Sequence, residues 1–176
     1  MEKIIRGQAY KFGSNIDTDQ IYPGRYLELT EPADIARHAL EGADPSFRER
    51  FQPGGIVVAG TNFGCGSSRE HAAIALKSVG VSLVVAESFA RIFFRNAINL
   101  GLPLLVCPGI AAQVAEGDML EVDLQTGQVT NLTSGRRFQG EKLSDYVLNL
   151  LAAGGVKPLM RKMLGTGKNS PGIPTL

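Results

Sequence analysis

Residues 59–73 read Ala59-Gly60-Thr61-Asn62-Phe63-Gly64-Cys65-Gly66-Ser67-Ser68-Arg69-Glu70-His71-Ala72-Ala73, the stretch densest in groups that can handle an anion or a proton. An apolar run, Gly55-Ile56-Val57-Val58-Ala59, precedes it and suits a buried strand. After it, Ala72, Ala75, Leu76 and Val79 fall at helical spacing. A strand, a glycine-rich turn and then a helix aim backbone N–H groups at a small, negatively charged ligand. Ser67 or Ser68 is expected as the N-cap. Arg69 adds a planar cation suited to a carboxylate. The competing reading is a plain turn that only caps the helix. Two sharper motifs fail: no lysine lies between positions 52 and 76 to make a P-loop, and Gly66-Ser67-Ser68-Arg69-Glu70 is not a nucleophile elbow.

The flanking sequence extends this unit. A first strand is expected over residues 7–13, followed by a polar loop carrying Asp17 and Asp19. Thr30 is the expected N-cap of a helix running through Ile35 to about Leu40, with a proline in its first turn. Pro45-Ser46-Phe47-Arg48 begins a further turn. Val81 to Ala86 reads as a second buried strand. Ser88 is expected to cap a helix with the stripe Phe89, Ile92, Phe93, Ala97 and Leu100, ended by Gly101. Leu104 to Cys107 gives a third strand. Repeated strand–helix–strand units predict a parallel sheet. Past Gly117 the pattern alternates: Leu120, Val122 and Leu124 interleave with polar residues, and Thr126-Gly127 turns the chain into an antiparallel hairpin. A helix from Ser144 to Gly154-Gly155 and an amphipathic turn or two over 157–164 complete one α/β domain, 1–164. The tail 165–176, rich in Gly, Pro, Ser and Asn, is expected to be disordered.

Composition narrows the function. The 176 residues are 44% hydrophobic and 20% charged with net charge +1, so no global field favours nucleic acid or an anionic membrane. No apolar stretch reaches membrane-spanning length and the N-terminus lacks a signal-peptide core, which predicts a cytoplasmic protein. The two cysteines, Cys65 and Cys107, make neither a disulfide framework nor a CxxC metal site, and no metal ligand set is expected on this chain. Cys107 ends an apolar run and reads as core; Cys65 is either reactive or a small packing residue. His71 reads as a structural hydrogen-bonding residue rather than a base. Asn131-Leu132-Thr133 is a glycosylation sequon without consequence in the cytoplasm.

The block Gly64-Cys65-Gly66-Ser67-Ser68-Arg69-Glu70-His71-Ala72 resembles the signature of the aconitase superfamily's swivelling domain. More closely, the chain resembles the short form of the 3-isopropylmalate dehydratase small-subunit family. Asn15-Ile16-Asp17-Thr18-Asp19-Gln20-Ile21, with Pro23 and Arg25-Tyr26-Leu27, is similar to that family's N-terminal substrate loop. Glu87 to Phe93 and Asn96 to Pro103 resemble its next helix and strand, so the likeness spans roughly residues 5–163. The resemblance implies a swivelling β/β/α domain with a mainly parallel central sheet and an added antiparallel hairpin. It also implies a hydro-lyase acting in leucine biosynthesis as a heterodimer or heterotetramer with a large subunit. That partner would carry the [4Fe-4S] cluster, whose iron acts as Lewis acid on the substrate hydroxyl, and this chain would bind no cofactor.

By the same resemblance, Ser67 matches the catalytic base, and Ser68 and Arg69 match carboxylate-binding positions. Asp19 matches an acidic residue that helps hold the site together, against the alternative of an Asx-turn residue. The stretch after Arg25, Tyr26-Leu27-Glu28-Leu29-Thr30, resembles the segment facing the substrate's variable group. Leu27 or Leu29 suits an isopropyl group, Glu28 would repel a third carboxylate, and Arg25 as a substrate-binding residue keeps that option open. The direction of Arg25 cannot be read from sequence. Related hydro-lyase substrates (2,3-dimethylmalate, methylmalate with citraconate, homoaconitate) and a non-catalytic anion-binding module stay open. The segment from Asp17 to Thr30 is expected to order on docking.

Overall fold

The structure, a computed structural model, describes residues 3–166. Its organising strand is β1 (Ile4–Lys11), flanked on both sides. One side is parallel: β1 pairs with β2 (Ile56–Ala59), β2 with β3 (Leu83–Ala86) and β3 with β4 (Leu104–Val106). The other is antiparallel: β1 pairs with β5 (Met119–Asp123), β5 with β6 (Gln128–Asn131) and β6 with β7 (Arg137–Gln139). The order among the described residues is β4-β3-β2-β1-β5-β6-β7. The expected hairpin is β5–β6, and a third antiparallel strand, β7, extends it.

The residue pattern explains the division. All four residues of β2 and all four of β3 are buried, as strands covered on both faces must be. In β5 and β6 burial alternates, with Leu120, Val122 and Val129 inward, as in a half-covered antiparallel sheet. The sheet also curls. Glu141 N–H donates to Val106 O at 2.7 Å and Gly140 N–H to Gly127 O at 2.7 Å, bringing the chain after β7 against the outer side of β4.

The helices are α1 (Thr18–Ile21), α2 (Pro32–Ala36), α3 (Phe47–Arg50), α4 (His71–Val79), α5 (Arg91–Asn99), α6 (Asp145–Ala153) and α7 (Val156–Thr166). A 3₁₀ turn spans Gly24–Tyr26. Ser144 caps α6 by accepting from Val147 N–H at 3.2 Å, and Gly154 ends it in the left-handed region, as its sequence predicts. Elsewhere the expected caps move. Glu31, not Thr30, precedes α2, which ends at Ala36. Helical geometry cannot continue to Leu40, whose φ is 55° and whose N–H is drawn to Ile21 O at 2.7 Å. Ala90 precedes α5, and Ser88 instead accepts from Asn62 N–H at 2.7 Å. The last helix, α7, passes residue 164 and reaches Thr166; the expected disorder beyond it lies outside the described residues.

No helix among the described residues is long and apolar enough to cross a membrane. What the fold achieves locally is a meeting of loops. The carboxyl ends of the parallel strands β1, β2 and β3 lead into the segments around 12–17, 60–70 and 87–90. This is the edge where open α/β sheets gather ligands.

Candidate active site

The turn after β2 is shaped by glycines. Gly64 and Gly66 have φ of 85° and 107°, a region that side-chain-bearing residues avoid. A Cβ on Gly64 would lie 2.2 Å from Cγ of Phe93, so the buried α5 ring packs directly on turn backbone. A Cβ on Gly66 would lie 3.1 Å from Thr18 Oγ1. The turn is thus pressed between α5 on one side and the N-terminal loop on the other.

That loop runs alongside the turn and is bonded to it throughout. Gly60 N–H donates to Gly13 O at 3.1 Å, Asn15 N–H to Thr61 O at 2.8 Å, Gly64 N–H to Ile16 O at 2.7 Å and Thr18 N–H to Cys65 O at 2.8 Å. Asn15 and Asn62, both in the left-handed region, join through their side-chain amides at 3.2 Å. Thr18, a buried polar residue, accepts Ser67 N–H on its hydroxyl at 3.0 Å. The segment from Asp17 to Thr30, expected to order on docking, carries α1 and the 3₁₀ turn in this structure.

Ser67 is not the N-cap of the helix. The cap position of α4 is Glu70, without a side-chain cap bond, and Ser67 stands four residues before His71. Its Oγ accepts instead from Arg69 N–H at 3.2 Å and from Arg69 Nε at 2.8 Å, a side-chain turn closed by a cation. Residues 67–69 are not helical, so Ser67 bonds its own neighbour rather than the helix end. Two donors on one hydroxyl oxygen, one charged, favour its deprotonated form. The positive field that sequence placed at the helix end thus reaches Ser67 through Arg69.

Arg69 is exposed and has no carboxylate partner among the described residues. With Nε turned to Ser67, its two Nη groups make no ion pair among the described residues and can hold a carboxylate. Ser68 is exposed too, its carbonyl fixed by Asn96 Nδ2 at 3.1 Å. Asp19 Oδ1 accepts Gly24 N–H at 2.8 Å, so it pins the 3₁₀ turn. A Cβ on Gly24 would lie 3.3 Å from Asp19 Oδ1 and 3.9 Å from Arg69 Nη1, so both groups approach the space that the missing side chain leaves open.

Arg25 points elsewhere, to Glu41 at 3.0 Å. Leu27 and Leu29 are half-buried and pack on the core. The sequence reading gave no role to Thr18, Tyr26, His38, Glu41 or Asn96, all of which touch this machinery. Thr18, Tyr26 and Asn96 lay inside blocks that resemble the family (Asn15 to Ile21, Arg25 to Leu27 and Asn96 to Pro103); His38 and Glu41 did not. His71 stacks on Tyr22 with centroids 5.5 Å apart, and its buried Nδ1 has no hydrogen-bond partner among the described residues.

Residues 15–108 match the model of the aconitase C-terminal domain, just over half of the chain. The chain belongs to the aconitase C-terminal domain family. Curated relatives in sequence include the isopropylmalate/citramalate isomerase small subunit of Methanocaldococcus jannaschii, 54% identical over 93% of this chain and 98% of that protein. The 3-isopropylmalate dehydratase small subunit of Moorella thermoacetica is 50% identical over 93% and 98%. In structure, a crystallised 3-isopropylmalate dehydratase from M. jannaschii superposes with a TM-score of 0.88 at 42% identity, covering 95% of this chain and 99% of the other.

Aconitase-type chemistry raises the question of an iron–sulfur cluster, and the residues of this chain do not fit one. Such a cluster is held by several cysteine thiolates. Here Cys107 is fully buried, its thiol pushed up from 9.0 to about 11 by burial and by the charge of Glu87. Among the described residues, no three His, Cys, Asp or Glu side chains are grouped as metal ligands.

Proposed function

We propose that this chain is the small subunit of a 3-isopropylmalate dehydratase, a cytoplasmic hydro-lyase of leucine biosynthesis that works only with a large subunit carrying the [4Fe-4S] cluster. The observation that carries this reading is the double donation from Arg69 to Ser67 Oγ, at 3.2 and 2.8 Å, in a chain of this family. It supports Ser67 as the group that takes a proton from the carbon next to a substrate carboxylate.

A free serine is far too weak an acid to be a base. An alkoxide held by a guanidinium and a backbone N–H is stabilised where the charge sits, without reorganisation during the reaction. The Nη groups of Arg69 and the hydroxyl of Ser68 bind substrate carboxylate. Ser67 removes the proton in the dehydration half of the reaction and returns it in the rehydration half. Asp19 acts by position, fixing Gly24 against Arg69. Leu27 and Leu29 line the side that meets the isopropyl group.

A second substrate is favoured by one specific finding: the relative at 54% identity is named for both isopropylmalate and citramalate. A methyl in place of an isopropyl group leaves every polar contact above unchanged.

The test is to mix this chain anaerobically with its cluster-loaded large subunit and assay isopropylmalate, citramalate and homoaconitate. Turnover of isopropylmalate that appears only on mixing is expected. Saturable carboxylate binding without turnover of any of the three would instead identify a binding module.

A further inference from the structure

Two arginines flank Gly24 and are held differently. Arg69 Nη1 lies 3.9 Å from the point a Gly24 Cβ would occupy and meets no carboxylate among the described residues. Arg25, the residue after Gly24, is bound: its Nη2 donates to Glu41 Oε1 at 3.0 Å, and its guanidinium lies over the Tyr26 ring, 4.7 Å from the centroid.

Glu41 is fixed in turn. Tyr26 Oη donates to the same Oε1 at 2.8 Å, and His38 Nδ1 is 2.5 Å from Oε2. The His38 ring stacks on Tyr26, centroids 3.6 Å apart. Burial opposes the Glu41 charge, but hydrogen bonds from His38, Tyr26 and Arg25 outweigh it and hold the carboxyl below its ordinary value. Arg25 thus faces an ionised carboxylate that Tyr26 and His38 also hold in place, and its charge is offset within the chain. Glu28, exposed three residues on, adds negative charge to the same segment.

We propose that Glu41 is a specificity-determining residue: by holding Arg25 it leaves one free guanidinium at this site and disfavours substrates with an additional carboxylate. This rests on the reading of the Ser67 turn as the substrate site. An additional carboxylate must either draw Arg25 away from Glu41 or sit beside Glu41 and Glu28 without a counter-ion. An apolar substituent requires neither, and Leu27 and Leu29 border the same segment.

The experiment uses the reassembled complex with wild-type chain, Glu41→Gln, Arg25→Gln and the double variant. Dissociation constants of succinate (two carboxylates) and tricarballylate (three) are measured by calorimetry, beside isopropylmalate turnover. Glu41→Gln should tighten tricarballylate relative to succinate by roughly threefold to fivefold, the scale of one exposed ion pair. The gain should vanish in the double variant, and Arg25→Gln alone should leave the ratio as in wild type. An unchanged ratio in Glu41→Gln overturns the proposal, and so does a gain that survives loss of Arg25. If Glu41→Gln does not fold, the single Arg25→Gln variant decides: a ratio that falls means that Arg25 already serves the extra carboxylate. A complex that never turns over isopropylmalate defeats the functional assignment separately, since the binding ratio is read without turnover.

Discussion

Arg69 grips Ser67 Oγ twice, through Nε at 2.8 Å and through its own backbone N–H at 3.2 Å. The contact is local in sequence, two residues apart, and needs no partner to form. The proposed base and the cation proposed to activate it are therefore already in contact within this chain.

Replacing the oxygen should abolish the chemistry and little else. Ser67→Ala is expected to lower turnover of the reassembled complex by at least about a hundredfold, the usual minimum for a general base. Co-elution with the large subunit should be unaffected. A variant that kept more than a tenth of wild-type turnover would remove Ser67 from the mechanism.

Arg69→Lys keeps the charge but loses the planar fork and the Nε donor. One ammonium cannot bond Ser67 and also hold a carboxylate in two-point geometry. Both KM and kcat should therefore suffer, with kcat/KM falling about tenfold to a hundredfold, as for a lost charged hydrogen bond. Kinetics indistinguishable from wild type would make Arg69 a general electrostatic residue only.

Thr18 predicts a split between isosteric and conservative changes. Thr18→Val retains the shape but leaves the Ser67 N–H without its acceptor, costing about 1–3 kcal/mol. Thr18→Ser retains the acceptor and should restore turnover to near wild type. Equal activity in the two variants would show that the hydroxyl contributes nothing beyond filling space.

Two glycines offer a contrast in stability. Gly64→Ala places a methyl 2.2 Å from the Phe93 ring at a φ of 85°, so a lowered Tm is expected, corresponding to roughly 2 kcal/mol or more. Around Gly13 nothing lies within 4 Å of a Cβ, and Gly13→Ala should melt within a degree or two of wild type, about the range of a neutral surface change. Similar melting of both variants would contradict the pressed-turn geometry.

The strands were legible because burial writes itself into composition: Ile56 to Ala59 and Leu83 to Ala86 are apolar throughout, whereas β5 and β6 alternate. The short β7 escaped notice because Arg137-Phe138-Gln139 is too brief and too polar to show a period. Cap positions misled wherever a serine or threonine had a better local partner. Ser88 turned to Asn62, and Ser67 to Arg69. The Ser67 turn stood out by its density of polar groups and by family resemblance. Glu41 did not, since nothing in sequence says that a residue 16 positions away will meet Arg25. Such pairings are set by how the 3₁₀ turn and α2 fold back, which only the tertiary structure specifies.

The curl that brings Gly140 and Glu141 against β4 bears on how such a chain survives before assembly. A sheet that ended in a bare β4 would present a row of unpaired backbone groups to any neighbouring strand, the usual seed of polymerisation. Here Val106 O is already taken by Glu141 N–H, and Gly140 packs on Leu105, so the chain covers its own margin. One acceptor of the β4 margin is thus occupied from within the chain, which leaves that margin less open to a neighbouring strand.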